Sequence, residues 1–161
     1  MPISRVIMNA SPIICLMKAG LIEILPGLFR DIAVPEEVKR EILVRGRSDP
    51  NGVLASYQWM RFVRDTLIAP QVASWDLGQG ESAVISFVLQ NPGFWAVIDD
   101  REARRCAAAL HCRHTGTLGI IVLAKKRGVI SSIRESLKKL REAGLWLSEE
   151  LVDQVCLKSG E

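Results

Sequence analysis

The sequence contains few of the residues from which the commonest metal and hydrolytic sites are built. It has only two histidines, and its four cysteines form no C-x-x-C pair and no zinc-like spacing with a histidine. No Ser/His/Asp or Cys/His arrangement stands out, so nucleophilic hydrolysis is not indicated. We expect Cys15, Cys106, Cys112 and Cys156 to be reduced, mostly buried side chains of a cytoplasmic protein.

Strong net charge and long apolar runs are also absent. The net charge is +3, which is compatible with a nucleic-acid partner without indicating one. The apolar run at the N-terminus is only about eight residues long and carries Arg5, so we expect neither a signal peptide nor a membrane span. A chain of 161 residues suits one α/β domain, residues 1–161, with residues 129–161 as C-terminal helices packed on it or extending it.

Short apolar segments of strand length alternate along the chain with longer segments of helical periodicity. Residues 46–52 are loop-like, residues 53–60 are predicted as a helix, and residues 62–70 are ambiguous between a strand and a loop. This alternation predicts a mainly parallel sheet with helices on both faces. The predicted strands are residues 5–10, 32–34, 95–98 and 112–115.

Two adjacent carboxylates, Asp99 and Asp100, follow the apolar segment 95–98 and precede a helical segment. Ligands of open α/β sheets bind outside the carboxyl ends of the strands, which is where these acids are expected. Like carboxylates repel each other and persist side by side where a cation compensates them. The simpler interpretation, that Asp100 caps the next helix, accounts for only one of the two acids.

Three further polar residues are candidates for the same end of the sheet. Asn9 follows the first predicted strand, while Glu41 and Glu81 lie on the inward sides of two predicted helices. If the first strand and segment 95–98 are neighbours, these residues converge with the two aspartates. Oxygen ligands of this kind favour Mg²⁺ or Mn²⁺, the usual cofactors for cleaving phosphodiesters with an activated water.

Several residues near these acids are candidate contacts to a substrate. Ser11-Pro12 is a typical helix start, with Ser11 as the cap. Thr117 begins another helix, where it either contacts an acid or a phosphate or serves only as a cap. Arg101, Arg104 and Arg105 flank the acids, and near a carboxylate site such arginines hold RNA phosphates. The candidate substrate contacts are Ser11, Arg101, Arg105 and Thr117.

Tryptophans add a second kind of candidate contact, because single-stranded RNA is often bound by stacking on aromatic rings. Most tryptophans are nevertheless packing residues, and Trp95 lies inside a predicted strand. The four are Trp59, Trp75, Trp95 and Trp146.

Five segments, taken in order over roughly residues 5 to 155, resemble PIN-domain proteins, and the likeness is strongest to the branch related to VapC-type toxin ribonucleases. They are NASPIICLMKAGL, VPEEVKREIL, LGQGESAVI, AVIDDREARRCA and GTLGIIVLAKKRG. The resemblance implies a three-layer α/β/α sandwich and a metal-dependent ribonuclease site of acidic residues. Glu41, Glu81 and Asp99 or Asp100 match family acids, but Asn9 stands where the family usually has its first aspartate. An amide offers a metal an oxygen without a charge, so this departure puts catalysis in doubt.

Two functions follow from the resemblance. The first is an endoribonuclease dependent on Mg²⁺ or Mn²⁺, with Glu41, Glu81, Asp99 and Asp100 as catalytic acids and metal ligands and Asn9 as an auxiliary ligand. It would be the toxin of a toxin–antitoxin pair, with RNA as substrate and an antitoxin protein as partner. The second is a weakened PIN-like module that binds RNA or a protein and cuts nothing. A phosphoryl-aspartate receiver is disfavoured, because its aspartate pair would follow the first strand.

We also expect a homodimer, as is common among PIN-like proteins. The last predicted helix carries an apolar stripe formed by Leu147, Leu151 and Val155, which suits either an interface between subunits or the core.

Overall fold

A computed structural model of the protein describes residues 2–45 and 53–161, so the predicted loop at 46–52 lies outside the described residues. The described residues form one five-stranded sheet in which every neighbouring pair is parallel, in the order β3-β2-β1-β4-β5. The predicted α/β/α sandwich is confirmed. The strands are β1 (Arg5–Met8), β2 (Asp31–Pro35), β3 (Met60–Val63), β4 (Trp95–Val97) and β5 (His114–Thr115).

Helices connect the strands, as parallel pairing requires. A single 3₁₀ turn, Ile22–Ile24, precedes the second helix. In the described part of the chain the helices are α1 (Ala10–Lys18), α2 (Leu25–Leu28), α3 (Glu36–Arg45), α4 (Val53–Ser56), α5 (Pro70–Ala73), α6 (Gln79–Gln90), α7 (Arg101–Ala109), α8 (Thr117–Lys126), α9 (Ile133–Glu142) and α10 (Glu149–Lys158).

The first strand lies in the middle of the sheet because its side chains are apolar on both faces. Val6, Ile7 and Met8 are fully buried, as expected for a strand covered by helices on each side. β1 pairs with β2 on one edge and with β4 on the other, where Met8 lies opposite Val97. The chain order therefore reverses between β1 and β4, and the crevice at their carboxyl ends is where such sheets bind ligands.

Two predicted helix boundaries were wrong. The first helix begins at Ala10, with Asn9 in an extended conformation at the N-cap position, so Ser11 lies in the first turn and not at the cap. The helix predicted over residues 53–60 ends at Ser56, because Met60 already pairs with Ile32 in β3. In both places the pairing of neighbouring strands sets the boundary, and local residue preference does not.

The C-terminal helices pack on the domain through α9, which contacts α8 and α1, while α10 contacts α9. Ser132 and Ser148 cap α9 and α10 through their hydroxyl groups. The Glu161 carboxylate accepts hydrogen bonds from the backbone N–H groups of Ile133 and Arg134 at the start of α9. The end of the described chain is thus tied to the helix that begins the C-terminal segment.

The four cysteines are free and buried, which confirms that part of the prediction. In the described ranges no single helix is long and apolar enough to cross a membrane. Ala10–Lys18 and Ile22–Leu28 meet the length and composition test only as a pair, and they are bent by 112° at the break between them.

Candidate functional site

The polar residues after β1 and β4 lie side by side at the carboxyl ends of the two strands. The backbone N–H of Asn9 donates to the carbonyl of Val97 over 3.0 Å, which extends the pairing one residue beyond β1. Asp99 follows two residues after Val97, the last residue of β4. The predicted proximity of Asn9 and Asp99 to one crevice follows from this register.

Glycine at position 80 lets side chains from three elements approach one another. A methyl group on Gly80 would lie 3.1 Å from Oε2 of Glu41 and 3.2 Å from Oδ1 of Asn9. It would also lie 3.1 Å from a methyl carbon of Val38. Gly80 is buried in the first turn of α6, so the absence of its side chain creates the space in which the Asn9 amide meets the Glu41 carboxylate.

The Asn9 side chain is 2% exposed and lies between two glutamates. Its Nδ2 donates to Oε1 of Glu81 over 3.4 Å. Its Oδ1 is buried and accepts no hydrogen bond from the described residues. A buried acceptor without a donor costs about 1–3 kcal/mol, so this oxygen is where a bound cation or water would be most strongly stabilised.

Asp99 is held by the start of the helix that follows β5. Its Oδ1 accepts the backbone N–H of Thr117 over 2.8 Å, and its Oδ2 accepts the Thr117 hydroxyl over 2.5 Å. Thr117 is fully buried. Of the roles predicted for Thr117, the structure shows contact with an acid. The Asp99 carboxylate gains two hydrogen bonds from this contact and lies at the favourable, positive end of the α8 dipole.

Asp100 takes a different direction from its neighbour. It is exposed and occupies the N-cap of α7, where its Oδ2 accepts the backbone N–H of Ala103 over 2.9 Å. The interpretation of Asp100 as a helix cap is correct. Its predicted role as a metal ligand stays a prediction.

Two arginines lie near the acidic residues: Arg45, which was not among the candidates, and Arg104, one of the three arginines expected to hold RNA phosphates. Arg45 forms an ion pair with Oε1 of Glu41 at 3.2 Å, and the same nitrogen lies 3.4 Å from the Ser11 hydroxyl. Nη1 of Arg104 and Oδ1 of Asp99 each lie 2.7 Å from the point where a Gly116 methyl group would be. Arg45 lies four residues after Glu41 on one helix, and this spacing would have allowed the ion pair to be predicted. The position of Arg104 depends on the fold.

The other two arginine candidates lie on the outer surface of α7. Arg101 is exposed, and Arg105 pairs with Glu102 on the same helix at 3.0 Å. Ser11 is half-buried and contacts Arg45. The predicted contacts of Ser11, Arg101 and Arg105 with RNA stay predictions.

The donor atoms fit a divalent cation in type and fall short in charge. Within residues 2–45 and 53–161, no three His, Cys, Asp or Glu side chains are close enough together to hold a metal ion. A site in the crevice therefore needs the neutral Asn9 oxygen as its third ligand beside Glu41 and Glu81. All three would supply oxygen, which suits Mg²⁺ or Mn²⁺, but they provide only two negative charges, and Arg45 already pairs with one of them.

A family model described as a PIN domain matches residues 5–161, nearly the whole chain. None of the curated proteins searched matches the chain. The five-stranded parallel sheet with its helices is consistent with the α/β/α sandwich of a PIN domain.

Proposed function

The chain belongs to the PIN-domain family, and on that premise we propose that it is a nuclease that cuts RNA with the help of Mg²⁺ or Mn²⁺. A PIN domain is a nuclease-type fold, and PIN domains generally use divalent metals. For this chain we propose RNA as the substrate, Mg²⁺ or Mn²⁺ as the metal, and particular residues that hold them.

The observation that carries the proposal is the buried Asn9 oxygen beside Gly80, which accepts no hydrogen bond from the described residues. Oδ1 of Asn9 and Oε2 of Glu41 are both acceptors, and each lies just over 3 Å from the position of a Gly80 methyl group. A cation bound between them would supply the partner that the Asn9 oxygen lacks and would offset the carboxylate charge. Glu81, bonded to the other end of the Asn9 amide, completes the set.

The side chains around the crevice have separate tasks in this proposal. Asn9, Glu41 and Glu81 would hold the cation, which when bound supplies an activated water and a counter-charge for the phosphate. Arg45 orients the phosphate by donating from its guanidinium, since its partner Glu41 lies at the metal position. Asp99 is held in position by Thr117, and its remaining lone pairs can accept a proton or a hydrogen bond from water.

The test is cleavage of a labelled single-stranded RNA pool with Mg²⁺ or Mn²⁺ added. We expect metal-dependent cutting that Glu81→Gln and Asp99→Asn abolish. Asp100→Asn is the matched control: it alters an acid adjacent to Asp99 that is already used as a helix cap, and it should cut as the wild type does. Cutting that persists in Glu81→Gln, or that needs no metal, would refute the proposal.

A second candidate function is a PIN-like module that binds RNA or a protein without cleaving. It is favoured by the internal compensation of the acids: the Asn9 amide donates to Glu81, Arg45 pairs with Glu41, and Thr117 donates twice to Asp99. If the wild type binds RNA but cuts none of it with either metal, this function replaces the first.

The biological role is a further part of the proposal, supported by the likeness to VapC-type toxins. As the toxin of a toxin–antitoxin pair, the protein would arrest growth when expressed alone, and Glu81→Gln would not. An antitoxin partner and a homodimer are proposed with it. The apolar stripe of the last helix packs mainly against the core, with Leu147 only 9% exposed, so a dimer would need other surface as well.

A further inference from the structure

A pocket of about 300 Å³ opens beside the acidic crevice, between α1, the end of α3 and the turn that joins α9 to α10. Asp99 and Arg45 form part of its lining, so the pocket is continuous with residues of the crevice. Its size is at the lower end of the range for small-molecule sites, and a single nucleotide unit is of this order. The residues that matter below are Ser11, Lys18, Arg45, Asp99, Gly144 and Leu145.

The walls of this pocket differ in character. Lys18 and Arg45 supply two positive charges and Asp99 supplies one negative charge, while an apolar wall is formed by Ile14, Cys15 and Leu145. Burial and the nearby Asp99 carboxylate raise the pKa of the Cys15 thiol, so Cys15 belongs to the apolar wall as a neutral side chain. A pocket that contains both cations and apolar side chains suits a ligand that combines a phosphate with a flat ring.

Trp146 directly follows Leu145 in the pocket's turn and is 84% exposed. The three other tryptophans pack against the core, so Trp146 alone projects its ring into solvent. Trp146 is thus an exposed aromatic ring one residue beyond a pocket that contains two cations, and exposed aromatic rings are what single-strand-binding proteins use to stack bases.

The turn that carries Trp146 is fixed at both of its ends. At the end of α9, the N–H groups of Gly144 and Leu145 donate to the carbonyls of Arg141 and Leu140, each over 3.0 Å. Gly144 has φ of +109°, a conformation that favours glycine. On the other side Ser148 caps α10. The ring is therefore presented by a preformed turn, which lowers the entropic cost of binding.

We propose that this pocket binds one nucleotide of single-stranded RNA next to the cleaved bond, with the base stacked on Trp146 and the phosphate between Lys18 and Arg45. Paired bases are not free to stack on the ring, so single-stranded RNA is the substrate class that the pocket selects. The cleavage part rests on the proposed nuclease function, whereas the binding part does not.

The test is fluorescence anisotropy of labelled single-stranded RNA with the intact protein in EDTA, where metal-dependent cleavage does not interfere. Trp146→Ala should weaken binding about tenfold, and Trp146→Phe should retain most of the affinity, because base stacking tolerates any aromatic ring. Leu157→Ala is the matched control, since Leu157 is also a large apolar side chain, 77% exposed, and lies on α10, away from the turn of residues 143–145 that lines the pocket. It should bind as the wild type does. Abasic RNA should remove the difference between the wild type and Trp146→Ala.

Equal RNA binding by Trp146→Ala and the wild type would overturn the proposal. It would also be overturned if Trp146→Ala converted a dimer into a monomer in sedimentation, because the ring would then be covered by a second copy of the chain. Trp146-dependent binding without any cleavage would refute the nuclease and leave the pocket in place. If Trp146→Ala cleaves single-stranded RNA as the wild type does, the role of the pocket is refuted and the nuclease function remains.

Discussion

The two sides of the crevice use their carboxylates in opposite ways. On the side of Asp99, the acid receives two hydrogen bonds from Thr117 and its neighbour Asp100 receives one from Ala103. On the side of Gly80, Glu81 accepts a hydrogen bond from the Asn9 amide and Glu41 lies near the same glycine, but the Asn9 oxygen has no donor among the described residues. The Asp99 side is stable by itself, while the Gly80 side is left incomplete.

This difference shows that adjacent carboxylates are poor evidence for a metal site by themselves. Helix N-termini provide unpaired N–H groups that hold a carboxylate well, and both aspartates use one. The residues with spare acceptors come instead from separate elements, brought together because position 80 has no side chain. The following substitutions test this contrast, from the largest expected effect to the smallest.

Asp99→Ala should produce the largest loss of stability. It removes two hydrogen bonds to a carboxylate and leaves the N–H and hydroxyl of the fully buried Thr117 without that acceptor. We expect the free energy of unfolding to fall by about 3 kcal/mol, measured by urea denaturation. A loss below about 0.5 kcal/mol, within the range of ordinary surface substitutions, would show that the Asp99 side is not the stable one.

Asn9→Asp should act on the Gly80 side in two directions. Without metal, a third carboxylate beside Glu41 and Glu81 and the loss of the Nδ2 donor should lower the free energy of unfolding by about 1–2 kcal/mol. With Mn²⁺ the added charge should raise affinity about tenfold or more, and thermal denaturation with and without Mn²⁺ measures both. A variant that Mn²⁺ does not stabilise more than it stabilises the wild type would contradict the assignment.

Asp100→Ala should cost about 1 kcal/mol of stability, the usual worth of a helix N-cap. Metal binding and RNA cleavage should not change, because Asp100 is exposed and points to the start of α7. Comparison with Asp99→Ala in the same denaturation series separates the two adjacent acids. Loss of metal binding in Asp100→Ala would show that the metal site lies on the Asp99 side of the crevice and not on the Gly80 side.

Gly80→Ala should change stability little and metal affinity clearly. Helix propensity favours alanine by ~1 kcal/mol, and contact with Val38 at 3.1 Å offsets it. The added methyl group would push apart the Asn9 and Glu41 oxygens, so Mn²⁺ affinity should fall severalfold in calorimetric titration. Gly27→Ala is the control, because its methyl group would meet Val129 at an ordinary 3.6 Å. Unchanged Mn²⁺ binding in Gly80→Ala would refute the role of this space.

The Glu161 carboxylate extends the comparison to a third helix start, that of α9, and gives the smallest effect. Its pKa is lowered to about 2 by hydrogen bonds from Ile133 and Arg134 and by Lys125. Because the folded pKa lies below the ordinary 4.5, the stabilisation is complete above about pH 4.5 and is lost as the pH falls towards 2. Glu161→Gln should flatten stability over that window in acid denaturation, and an unchanged pH profile would rule the contribution out.

Much of the fold could be predicted because it depends on local patterns. The apolar strand segments, the serine caps at Ser132 and Ser148 and the Asp100 cap each involve residues within a few positions of one another. The strand at Met60–Val63 is not predicted: its first residue falls in the predicted helix 53–60 and its end in the ambiguous segment 62–70. Its sequence, MRFV, has one charge, and of its four residues only Met60 is buried.

The missing parts of the site depend on residues far apart in the chain. Thr117 meets Asp99 across 18 residues, and Arg45 meets Ser11 across 34, so no local spacing predicts either contact. The sequence also could not predict that Asp99 and Asp100 have different partners, because Asp99 is bound by the start of α8 and Asp100 by the start of α7. The space at Gly80 requires α3 and α6 to be in place, and the pocket lined by Leu145 requires the α9–α10 turn.

The measurement that tests the central claim most directly is calorimetric titration of Mn²⁺ into the wild type, Glu81→Gln and Asp100→Ala. The account predicts that the wild type binds, that Glu81→Gln loses binding and that Asp100→Ala binds as the wild type does. Equal binding by the wild type and Glu81→Gln, or loss of binding only in Asp100→Ala, would contradict it.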